Sequence, residues 1–112
     1  MTEDKKLKEL DWLGDSKAVV RSFDDDARQD IGYAIFQLQE GQKPDASTRN
    51  LEGLPKKVWE IRIQDESFWY RVAYVTFVKG KVVIVHAFKK KSAKTSQGDL
   101  NIIKQRLKEI EQ

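Results

Sequence analysis

The chain has no cysteine, two prolines, one methionine and one histidine in 112 residues. Without cysteine there is no disulfide framework and no thiolate chemistry. No cluster of His, Cys and Asp stands at ligand spacing, so neither a metal nor a cofactor is expected. No apolar run approaches the roughly 20 residues that span a bilayer. With 35% of residues charged, no membrane partner is expected. Met1–Lys6 leads into no long apolar segment of the kind a secretory leader carries, so the expected location is cytoplasmic. No repeat, low-complexity tract or composition break divides the chain. It reads as one domain over residues 1–112, long enough for one modest core.

Charge is unevenly distributed. The formal net charge is +3, but residues 1–54 hold 8 Lys/Arg against 12 Asp/Glu, and residues 55–112 hold 13 against 6. The basic half also carries the strand patterns. Basic surface interleaved with aromatics suits nucleic acid, because phosphate contacts release counterions and bases stack on rings. A solvated Lys-rich face is the plain alternative.

The elements follow from spacing. Leu7–Leu13 is a short mixed run, read as an edge strand and ended by Gly14. Asp15 and Ser16 can cap a short helix carrying Ala18, Val19 and Val20. Ser22 or Asp24 starts a second helix, with Asp24–Asp26 at the positive end of its dipole and Ala27, Ile31, Ala34, Ile35 and Leu38 as its buried stripe. Three adjacent Asp at such a start are read as a cap rather than a metal site. Residues 42–57 read as a loop with Pro44, Gly53 and Pro55. Three strands follow as a meander, with turns at Asp65–Ser67 and Lys79–Lys81. Leu100, Ile103, Leu107 and Ile110 recur at 3, 4 and 3 residues, which predicts a final amphipathic helix. The predicted fold class is α+β: a small antiparallel sheet in β-α-α-β-β-β-α order, backed by an N-terminal helix pair.

Strand parity then sorts the side chains. Trp59, Ile61, Ile63, Tyr70, Val72 and Tyr74 point to the helices; Glu60, Arg62, Gln64, Trp69 and Arg71 point the other way. A polar stripe in the middle of a sheet is costly under apolar cover and cheap on an open face that takes an anionic ligand. An open basic groove is therefore expected, with Lys89, Lys90 and Lys91 at the end of the third strand. His86 shares parity with Lys90. Histidine's near-neutral range makes it the natural proton acceptor, although a lone histidine among Val85, Ala87 and Phe88 is more often a packed, hydrogen-bonded one.

Trp12–Ser16, Asp30–Ala34, Gln39–Gly41, Val58–Ile63, Tyr70–Tyr74 and His86–Ser92, taken in order, resemble the RelE/ParE superfamily of type II toxins, most closely its phage-derived, HigB-like branch. The resemblance implies the RelE-like form of the fold. It also implies a ribosome-dependent, metal-independent endoribonuclease that cuts mRNA in the ribosomal A site. The implied partners are the ribosome, mRNA and a cognate helix-turn-helix antitoxin, giving a toxin–antitoxin hetero-oligomer. Arg62, Arg71 and Lys90 match the catalytic positions of RelE-type members. Some members also use a C-terminal tyrosine; this chain has none after Tyr74, and Ser96 stands roughly in its place.

The chemistry fits those residue types. Cleavage by a 2′-OH needs a proton acceptor, stabilisation of the phosphorane and a proton for the leaving 5′-oxygen. Arginine offers a planar, permanently charged donor fork, so Arg71 and then Arg62 are the expected stabilisers. Of Lys89–Lys91, one could donate a proton or hold the scissile phosphate, and the resemblance selects Lys90; His86 is the candidate acceptor with Glu60 behind it. Lys56, Lys57, Lys89, Lys91 and Lys94 are candidate RNA grips, and Trp69 a stacking platform. Two other readings share the scaffold: a ParE-like gyrase inhibitor, and a non-catalytic module that binds RNA or an antitoxin.

Overall fold

The apolar spacings close onto two faces of one sheet. The computed structural model describes residues 6–92 and 94–110. Most of the N-terminal segment read for a leader lies outside the described residues. The elements are β1 Glu9–Trp12, α1 Ser16–Arg21, α2 Asp25–Gln39, β2 Ser47–Leu51, β3 Val58–Gln64, β4 Trp69–Val75, β5 Lys81–Lys90 and α3 Gln97–Leu107. The sheet runs β1-β5-β4-β3-β2. Three neighbouring pairs are antiparallel, whereas β1 runs parallel to β5, so the sheet is mixed. The fold is α+β.

β2 lies inside the segment read as a loop. Only its Leu51 is buried, and the sequence Ser-Thr-Arg-Asn-Leu carries no apolar alternation. It is an edge strand, and backbone pairing with β3 suffices to hold it. At the other edge, the 2.9 Å bonds from Lys8 N–H to Gln39 C=O and from Glu9 N–H to Gly80 C=O align the chain for parallel pairing.

The first face is covered as parity requires. Ile61, Tyr70, Val72, Tyr74, Val82 and Ile84 pack against Val20, Phe23, Ile31, Ala34, Ile35 and Leu38 of the α1–α2 region, with Trp59 and Ile63 at the margin. Asp24 sits at the N-cap of α2 but makes no side-chain cap bond. Its carboxylate instead accepts from the Tyr70 hydroxyl at 3.0 Å, alongside Asp65 at 2.8 Å.

The second face corrects the expectation of an open groove. Ile103 and Leu107 of α3 pack on Val58, Ala73, Val75, Val83 and Val85. The apolar stripe of α3 has to bury somewhere, α1 and α2 already occupy the first face, and these valines supply the surface. Burying a Leu or Ile side chain in this way stabilises by about 1.5–3 kcal/mol each.

A bulge in β5 makes this arrangement possible. Tyr74 pairs with Ile84, but Ala73 pairs with His86, so Val85 is an extra residue. Val83 and Val85 face α3, and past the bulge His86, Phe88 and Lys90 face the same side. Arg106 anchors α3 across the sheet end. Its guanidinium donates to Val85 C=O at 3.0 Å and to the Asp15 carboxylate at 3.0 Å. It passes directly over Gly14, where a Cβ would stand 2.4 Å from it and where φ is +55°, so a larger residue here is strained and displaces the guanidinium.

Candidate active site

Register places nine residues of β3, β4 and β5 as a grid on the second face. Its rows are Glu60–Ala73–His86, Arg62–Arg71–Phe88 and Gln64–Trp69–Lys90. The sheet therefore brings together Arg62, Trp69, Arg71, His86 and Lys90, all singled out from sequence. Arg62 and Arg71 are direct cross-strand partners, a like-charge pairing that costs energy unless something offsets it.

Two groups offset it. Glu60 accepts from Arg71 Nη1 at 2.7 Å and lies 3.9 Å from Arg62 Nε. The Trp69 ring faces both guanidinium carbons, at 5.0 Å from Arg62 and 5.2 Å from Arg71. Thr95 closes the arrangement: Arg71 Nη1 donates to its hydroxyl at 3.2 Å, and the hydroxyl donates to the second Glu60 oxygen at 2.9 Å.

Arg71 is 1% exposed and Glu60 is fully buried, so Arg71 does not stand in an open groove as its parity suggested. The connector after β5 supplies Thr95 over it. Arg62 is more accessible, with a side chain 19% exposed. Burial, then the neighbouring Arg71 charge, pull its guanidinium below the ordinary arginine range, against the opposing pull of Glu60. Among the described residues, three donor atoms in this nest have no hydrogen-bond partner: Arg71 Nε and Nη2, and Arg62 Nε. Buried N–H groups are nearly always satisfied, and leaving one bare costs about 1–3 kcal/mol.

On the β5 side, Asp99 of α3 gathers the remaining polar groups. His86 Nε2 meets its Oδ1 at 2.8 Å, and Lys90 Nζ meets its Oδ2 at 2.5 Å. Ser96 caps α3, accepting from the Asp99 N–H at 3.1 Å while its hydroxyl donates to Oδ2 at 2.7 Å. Burial works to raise the Asp99 carboxyl, but the bonds from His86, Lys90 and Ser96 outweigh it and hold it below the ordinary aspartate value. His86 stacks on Phe88 at 5.1 Å, and Arg106 Nη1 approaches its Nδ1 at 3.4 Å. Both ring nitrogens are thus engaged, and the ring is 5% exposed. Lys90 keeps a side chain 30% exposed and lies over Phe88.

The other lysines lie elsewhere. Lys89 points to the first face, 4.4 Å from the Phe68 ring. Lys57 lies over Trp59, also a first-face residue. Lys56 lies over Phe77 and lines a groove of about 560 Å³ shared with Pro55, Leu107, Lys104 and Lys108, none of them in the grid. Lys91 and Lys94 are exposed in the connector. Sequence reasoning missed Thr95, Asp99 and Arg106. The Ser96-x-x-Asp99 spacing was the one local signal, since it marks a capped helix start. Among the described residues, no group of three His, Cys, Asp or Glu could hold a metal ion, and no helix is long and apolar enough to cross a membrane.

Comparison with known proteins places the chain in a family. The family model described as "Phage derived protein Gp49-like (DUF891)" matches residues 18–108. The chain belongs to the Gp49-like family. This is a RelE-like type II toxin family. Among solved structures, the Gp49-like chain is similar to a double arginine-to-alanine mutant of the E. coli toxin RelE in the free state. The likeness has a TM-score of 0.58 at 17% identity, over 93% of this chain and 98% of that one. It shows that the Gp49-like chain has the RelE fold. No curated protein matches it.

Proposed function

We propose that this Gp49-like protein is the toxin of a HigB-like toxin–antitoxin pair, a single domain over residues 1–112 that cuts mRNA on the ribosome and is neutralised by a helix-turn-helix antitoxin. The observation that carries the reading is the opposed Arg62–Arg71 pair, whose three unmatched N–H donors lie beside Trp69 with Lys90 at the exposed margin. Unmatched guanidinium donors suit phosphate oxygens.

In the proposed reaction the 2′-oxygen attacks the adjacent phosphorus and the 5′-oxygen leaves. Arg62 and Arg71 stabilise the phosphorane, and Trp69 stacks on a neighbouring base. Lys90 gives a proton to the leaving oxygen. Glu60 takes the 2′-OH proton on the oxygen that the Thr95 hydroxyl gives up when it moves aside, while both nitrogens of His86 stay engaged with Asp99 and Arg106. For RNA to reach Arg71, the Thr95 hydroxyl has to release it. Lys56, Lys57, Lys89, Lys91 and Lys94 act only as peripheral grips for the ribosome and mRNA. The protein acts in the cytoplasm and needs no cofactor.

The burial of Arg71 favours one second reading, a ParE-like inhibitor of gyrase that binds without catalysis. Induction in cells separates the two. Cuts at codon positions within translated frames support the nuclease; DNA breaks with intact mRNA support the gyrase reading.

A further inference from the structure

Asp99 is held more firmly than a helix cap requires. Capping of α3 uses the Ser96 hydroxyl and the Asp99 backbone N–H. The carboxylate reaches away from the helix to β5, where Oδ1 meets His86 Nε2 at 2.8 Å and Oδ2 meets Lys90 Nζ at 2.5 Å. The residue is 8% exposed. Burying an ionised carboxylate is costly unless it is fully paired, and here the pairing goes to two residues of the strand that carries the site.

Each partner is fixed by the contact. Lysine is a flexible point charge whose amine samples many rotamers when unpaired. At Lys90 one carboxylate oxygen holds the ammonium at the exposed end of the Gln64–Trp69–Lys90 row. At His86, Nε2 meets the carboxylate at 2.8 Å while Nδ1 lies 3.4 Å from Arg106 Nη1, so the ring is gripped from both sides. The groups facing Asp99 are thus Lys90 and His86 from β5 and Ser96 from its own helix, with Arg106 behind the imidazole.

We infer that Asp99 is a positioning residue: its carboxylate aims Lys90 as the proton donor beside the Arg62–Arg71 pair and holds the His86 ring in place as a support. The inference rests on the nuclease reading and adds to it a residue on α3 that acts only through Lys90. A donor misplaced by about 1 Å can cost roughly 10²-fold in rate.

The test uses full-length protein on translating ribosomes programmed with a defined mRNA. Single-turnover cleavage is followed for wild type, Asp99→Asn, Asp99→Glu, Lys90→Ala and the Asp99→Asn/Lys90→Ala double variant, with melting curves for each. Asp99→Asn is expected to lower the maximal cleavage rate about 100-fold while half-saturation changes less than about 2-fold. Asp99→Glu should restore most of the rate, and the double variant should be no slower than Lys90→Ala.

A folded Asp99→Asn protein cleaving at the wild-type rate overturns the inference, as does a double variant whose loss equals the product of the two single losses. If Asp99→Asn does not fold, Asp99→Glu decides: recovery without rate overturns it. A wild-type protein that cuts no mRNA overturns the nuclease reading itself and the inference with it. NMR of the lysine ammonium groups is then a separate readout of the pairing, since the Lys90 signal should be protected in wild type and lost in Asp99→Asn.

Discussion

Arg71 donates to Glu60 across 2.7 Å at a point where both side chains are closed off from solvent. The residue best suited to stabilise a phosphorane is therefore also half of a buried ion pair. Breaking such a pair from one side leaves the other charge stranded, which typically costs about 3–5 kcal/mol. Arg71→Ala should abolish activity and also lower stability by about that amount in urea melts. Replacing both members, Arg71→Met with Glu60→Leu, should recover much of the stability and none of the activity. Equal stability of wild type and Arg71→Ala would show that the pair is solvated.

Acid stability should report Asp99. Its folded-state carboxyl titrates below the ordinary value, so its contribution is complete above about pH 4 and is lost as the pH falls through the lowered value. Asp65 adds to the same limb, because N–H groups of Phe68 and Ser67 and the Tyr70 hydroxyl hold its carboxyl low. Asp99→Asn should flatten the acid limb of a stability–pH curve but not remove it. An unchanged limb would show that Asp99 is not paired in solution.

At high pH the sign reverses. Burial pushes the Tyr74 phenol up to about 12, and Tyr70 rises as well through burial and its bonds to Asp65 and Asp24. Between about pH 10 and 12 the unfolded chain releases these protons and the folded chain keeps them, so stability should fall over that window. Tyr74→Phe should soften the fall, as read by chemical melts at stepped pH. A variant that loses stability as steeply as wild type would contradict the burial of the hydroxyl.

Ile61 is fully buried between β3 and α2. Ile61→Ala should cost about 2–5 kcal/mol. The exposed Ile102→Ala on α3 should cost much less. Comparable losses at the two positions in denaturant melts would contradict the assignment of the first face.

The helices, the three-strand meander and the first-face parity were legible because each repeats a period: 3.6 at Ala27–Leu38 and 2 at Trp59–Ile63. β2 was not legible, because a polar edge strand shows no period. The parallel direction of β1 comes from contacts with residues 39 and 80, far away in sequence. The candidate site was half legible. Parity put Arg62, Trp69 and Arg71 on one face, but a bulge at Val85 shifts parity within β5, so Val83 and Val85 under α3 share that face with His86, Phe88 and Lys90 beyond it. Closure of that face brings in Thr95 and Asp99, whose roles depend on where α3 lands and not on their neighbours in the chain.

The most direct test of the central claim is the chemistry of the RNA ends. Purified protein is added to ribosomes programmed with mRNA, and each cleavage product is mapped and its termini identified. Attack by the 2′-oxygen predicts cuts in the A-site codon that leave a 2′,3′-cyclic phosphate and a 5′-hydroxyl, and Arg62→Ala should lose about 10²–10³ in rate. Intact mRNA, or cuts leaving 5′-phosphates, would contradict the account.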